Sequence, residues 1–150
     1  MGDVESWHRR FAVELFTASW ELLGRPDRGP DGDAALMAAV FGSAWHWDQV
    51  GTDENRALGD HQIAKAASAV GLPDVALRYA RRALEAIERG AFGDWQLAAG
   101  YEGMARAHAA AGDAVERDRW VARCTDALAA IADPEDRAVI AEQLREVTGP

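Results

Sequence analysis

The chain has 150 residues but a single cysteine, Cys124, and a single lysine, Lys65. One cysteine cannot make an internal disulfide, so the fold must hold without that staple. Cys124 lies among apolar residues in a helical phrase, where a thiol packs as a small hydrophobe. The scarcity of lysine leaves arginine as nearly the whole basic complement, a bias typical of GC-rich bacterial coding. No run approaches the ~20 consecutive apolar residues that span a bilayer. β-branched residues are sparse and apolar–polar alternation is missing, which excludes strands as the main element. Positive charge is also short: 16 Lys and Arg stand against 25 Asp and Glu, for a net charge of −9. An acidic chain repels phosphate backbones and anionic headgroups, so neither nucleic acid nor membrane is an expected partner. The opening Met1-Gly-Asp-Val-Glu-Ser-Trp7 lacks the basic-then-apolar pattern of a secretion signal, and the expected compartment is the cytoplasm.

What the chain does have is alanine and helical spacing. At this length a single domain, 1–150, is expected, able to bury about two thirds of its unfolded surface. Seven helical segments can be read. Residues 4–23 carry Trp7, Phe11, Leu15 and Leu22 along one stripe. A loop rich in Pro and Gly follows, from Gly24 to Gly32. Asp33 is the expected N-cap of a helix over Ala34–Val50, with Leu36, Val40 and Trp47 on one face. Thr52 or Asp53 caps a third helix that stops at Gly71. Pro73 and Asp74 open a fourth, with Arg81–Glu85 and Glu85–Arg89 spaced to pair on its solvent side. Asp94 is the expected cap of the fifth. Gly112-Asp113 turns the chain into a sixth that buries Trp120, Cys124 and Leu128. Asp133-Pro134-Glu-Asp136 starts a last helix, 134–147, expected to cap the open end of the stack.

One phrase occurs twice. Gly71, Ala76, Tyr79, Ala83 and Leu84 follow a turn-glycine, small, aromatic, small pattern; Gly112 and Trp120 restate it, with Arg117 and Arg123 where alanines are expected. This pattern resembles the second helix of a tetratricopeptide repeat. The period of 41 residues exceeds the 34 of a standard repeat. The likeness covers about residues 33–131. Two further phrases, His46-Trp47-Asp48-Gln49-Val50-Gly51 and Tyr101-Glu102-Gly-Met-Ala105-Arg106-Ala107, are similar to ones found in bacterial repeat-like proteins. The resemblance implies an all-α stack of antiparallel helical hairpins, a tetratricopeptide-like superhelix of about seven helices, acting as a protein-binding or assembly scaffold.

The concave face of such a stack is expected on the helices Ala34–Val50, Glu54–Val70 and Asp94–Ala111. Its candidate partner-binding residues are Trp45, His46, Asn55, His61, Gln62, Tyr101 and Glu102. Consecutive Trp45, His46 and Trp47 diverge by ~100° each around a helix, so one of them faces solvent or another surface. Trp7, Phe11, Phe16 and Trp20 likewise cannot share one side, which points to a homodimer through the N-terminal helix. The histidines His8, His46, His61 and His108 show no H-x-x-x-H or E-x-x-H spacing, so neither a metal nor a cofactor is expected. No nucleophile–base motif or phosphate-cradling glycine loop occurs, and no catalytic residue is assigned. The competing expectation is a small-molecule- or metal-binding enzyme that uses the His, Glu and Trp side chains of the groove.

Overall fold

The structure, a computed structural model, describes residues 2–149. Among these residues it is all-helical: α1 (Gly2–Leu23), α2 (Gly29–Val50), α3 (Asp53–Ala69), α4 (Pro73–Gly90), α5 (Asp94–Ala110), α6 (Ala114–Leu128) and α7 (Pro134–Thr148). Three helix starts follow from side chains that satisfy the free backbone groups of a helix end. Thr52 Oγ1 accepts from the Asn55 amide at 3.2 Å while Asn55 Oδ1 accepts from the Thr52 amide at 3.0 Å, a closed capping box on α3. Asp113 and Asp133 each accept an amide of the first turn of α6 and α7.

Two starts differ from expectation. Helix α2 begins at Gly29, ahead of Ala34, and Asp33 lies inside it. Pro30 fits the first turn, where its missing N–H costs nothing. Arg28 supplies the closure instead. Its Nη1 donates to the carbonyls of Leu22, Leu23 and Arg25, and its Nε to Asp33 Oδ1 at 2.8 Å. Helix α5 has Gly93 at its cap position. The Asp94 carboxylate points elsewhere. It accepts from the Ala132 amide at 2.9 Å and ties α5 to the α6–α7 connection.

Helices α1 and α2, α3 and α4, and α5 and α6 form antiparallel hairpins, and α7 packs on α5 and α6. The first helices of the hairpins touch in the order α1, α3, α5 and then α7, forming an inner layer. Helices α2, α4 and α6 form the outer one, so α2 lies outside rather than on the expected concave face. Small residues let the layers approach. Ala64, Ala67, Ala76, Ala80 and Ala107 make the central cluster with Leu84 and Met104.

The 41-residue period holds in three dimensions across α3–α4 and α5–α6. Gly71 and Gly112 both have left-handed φ, +77° and +74°, which glycine adopts without penalty. Eight positions later, Tyr79 meets Phe41 edge-on at 5.6 Å and Trp120 meets Tyr101 at 5.8 Å. Each ring carries a guanidinium from three residues on, Arg82 at 5.0 Å and Arg123 at 4.8 Å. Arg123 therefore corresponds to Arg82, and fully buried Cys124 takes the place of Ala83. That register corrects the reading of Arg123 as a misplaced alanine position; Arg117 keeps its mismatch with Ala76. The expected pairs Arg81–Glu85 and Glu85–Arg89 are not formed among the described residues. Arg82 reaches across to Asp60 of α3 at 3.2 Å instead.

Candidate functional site

The inner layer encloses a groove. Its floor is α3 and α5; its walls are α1, through Phe16, Trp20 and Leu23, and α7, through Val139, Gln143 and Glu146. The groove contains a cavity of 630 Å³ and an adjoining one of 320 Å³, which share Trp20, Val139 and Gln143. On the α7 side it runs from Asp136 to Glu146, about 15 Å at the rise of a helix.

Charge is concentrated in the floor. Glu102 is wholly buried, and its Oε1 accepts from Arg106 at 2.6 Å. Arg106 also donates to the Gln143 carbonyl at 2.9 Å and to Glu146 at 3.0 Å, which joins the floor to the α7 wall. His61 Nε2 stands 3.9 Å from Glu102 Oε2, beyond hydrogen-bond distance. The imidazole lies against Gly103, where an added Cβ would come within 2.9 Å of Nδ1. Burial lowers the His61 pKa; Glu102 opposes this, while Lys65 and Arg106 reinforce it. Gln62 donates to Ser19 Oγ at 2.9 Å and joins the floor to the α1 wall.

Lys65 has no carboxylate within 4.0 Å among the described residues, although it is 7% exposed and lines the larger cavity. Its ammonium lies 5.0 Å from the centre of the Trp20 ring, a cation–π contact. Burial, then Arg106, lowers its pKa, against the pull of Glu102 and Glu146. Cys124 is withdrawn from this chemistry. It is buried behind α5 with its Sγ donating to the Ala98 carbonyl, and burial, then the Glu102 charge, raises its pKa to about 12.

The seven residues singled out from the sequence do not share one surface. His61 and Gln62 face the groove, and Glu102 lies beneath them. Asn55 is spent on the α3 cap and borders a small apolar hollow with Phe16 and Trp47. Tyr101 packs between α5 and α6 on Trp120. Trp45 and His46 sit on α2, away from the groove, beside His8 of α1. Sequence reasoning missed Lys65, Arg106, Trp20, Gln143 and Glu146. A signal for two of them was present: Lys65 and Arg106 are 41 positions apart, as are His61 and Glu102. No family model, curated protein or solved structure matches the chain.

Proposed function

We propose that this chain is a non-catalytic binding module, a diverged relative of tetratricopeptide-type scaffolds, and that it seats a segment of a partner protein in the groove between α1 and α7. The observation that carries the reading is the floor. Its acid, Glu102, is held through Oε1 by Arg106, so that ion pair is in place before any ligand arrives, a form of preorganisation that favours binding, while Glu102 Oε2 and His61 Nδ1 are buried without a hydrogen-bond partner. A cleft about 15 Å long accepts four or five residues of extended chain at about 3.3 Å each. Trp20, Val139 and Ile140 offer apolar contact, and Lys65 offers a donor not taken up by a carboxylate. The competing enzyme reading would draw on His61, Glu102 and Cys124, and among the described residues these are not joined by hydrogen bonds between their side chains. His61 and Glu102 stand 3.9 Å apart with no hydrogen bond between them, and burial raises the Cys124 pKa to about 12.

Selection from a random peptide library displayed on phage tests the proposal. The folded wild-type chain is expected to enrich a short consensus. Trp20→Ala and Lys65→Met are expected to lose at least tenfold in affinity for the selected peptide, while Trp45→Ala, outside the groove, keeps it. Failure to enrich any sequence, or equal binding by the groove variants, would overturn the assignment.

A further inference from the structure

The outer side of the α1–α2 hairpin carries a cluster the groove does not explain. His8 Nδ1 and His46 Nδ1 face one another at 2.9 Å, from positions 38 residues apart in sequence. The ring centres are 5.1 Å apart. Without a metal this is a hydrogen bond in which one neutral imidazole donates to the other. A tetrahedral zinc with Zn–N of about 2.0–2.1 Å would hold two such nitrogens about 3.3 Å apart. The nitrogens need part by only a few tenths of an ångström, and each ring, which is partly exposed, must turn by about 35° from a linear hydrogen bond so that both lone pairs converge on one tetrahedral metal. Imidazole Nδ1 is a competent zinc ligand.

Two ligands are half of a structural zinc site, and among the described residues no third His, Cys, Asp or Glu joins them. The surroundings indicate where the rest comes from. Phe11 lies 5.4 Å from the His46 ring and stacks on Trp7 at 5.6 Å; Trp45 lies 5.5 Å from His8. Trp7 is 51%, Phe11 40% and Trp45 56% exposed, so the histidine pair sits in a continuous uncovered aromatic patch. Patches of that kind mark interaction surfaces. A twofold axis through the metal would bring the same patch of a second copy against it and double two imidazoles to four.

We infer that His8 and His46 form half of a zinc site completed by the same pair in a second copy of this chain, so that zinc bridges a homodimer across the α1–α2 aromatic face. Zinc titration of the metal-free protein, with mass followed by light scattering, decides it. The expected result is half a zinc per chain, a mass that doubles from 16.2 kDa, reversal by EDTA, and loss of both effects in His8→Ala and in His46→Ala with unchanged circular dichroism. Cobalt in place of zinc is expected to give the intense visible bands of a tetrahedral site. One zinc per chain at constant mass, a dimer that persists in EDTA, or full binding by either single variant would overturn the inference.

Discussion

Between Asp53 and Gly90 the chain builds a hairpin whose second helix, α4, buries Ala76, Ala80, Ala83, Leu84 and Ile87; the hairpin from Asp94 to Leu128 buries only Cys124 from α6. Both turn on a left-handed glycine, and both place an aromatic and an arginine at the same offsets from it. The difference lies in the neighbours. Helix α4 is enclosed by α3 and α5, and its Tyr79 reaches α2, whereas α6 has only α5 and α7. Turn geometry is local and is the same in both hairpins. A run of small residues is needed only where a helix is covered on several sides, and α6 lacks one.

The contrast is broken most violently at its mismatched position. Ala76 is 0% exposed, and its counterpart is Arg117. Ala76→Arg forces an unpaired charge into the central cluster, and a loss of about 4 kcal/mol or more is expected. The reverse change, Arg117→Ala, removes a surface residue paired with its neighbour Asp118 and is expected to leave the thermal midpoint unchanged. Circular dichroism melts of the two variants check this. A stable Ala76→Arg protein would mean that α4 is not the enclosed member of the pair.

A smaller and symmetric effect is expected at the turns. Gly71→Ala and Gly112→Ala each place a Cβ at positive φ with nothing else within 4 Å, so the cost is backbone strain alone. Each is expected to destabilise by about 1–2 kcal/mol, the penalty of a left-handed L-residue. Urea denaturation that gave clearly unequal losses would show that the two turns are not the same device.

The reach of the sequence follows the same division between local and distant causes. Caps at Thr52 and Asp133, the first-turn Pro73 and the turn glycines are read within a few residues, and the helices they bound are the ones observed; that Asp113 of the Gly112-Asp113 turn also caps α6 is added by the structure. Arg28 was not readable as a closure, because it works by reaching carbonyls of the preceding helix. Residue type alone groups Trp45 and His46 on the outer α2 with His61 and Gln62 on the inner α3, because type does not tell which layer a helix joins. Laying α5 on α3 at the 41-residue period would have placed Glu102 beside His61 and Arg106 beside Lys65. It would still not have shown that Gly103 gives way to the His61 ring, or that α7 closes the groove, since both depend on packing between hairpins.

A further expected effect separates the two hairpins by pH. Asp60 of α3 corresponds to Tyr101 of α5, so only the first copy sets an acid beneath its arginine. Burial is the main cause that raises the Asp60 pKa to about 6; Arg82 opposes it and Asp48 adds to it. In the unfolded chain the group titrates near its ordinary value of about 4. Between these values the folded state keeps a proton that the unfolded state has lost. The Asp60 contribution to stability is therefore whole below about pH 4, declines as pH rises to about 6, and stays lost above that. Asp60→Asn is expected to remove this decline, so that the variant gains on the wild type as pH rises from 4 to 7. Urea midpoints of both proteins at several pH values measure the difference. Parallel curves would show that Arg82 offsets the burial of Asp60 in full, and that the acid beneath the arginine leaves the two copies electrostatically equivalent.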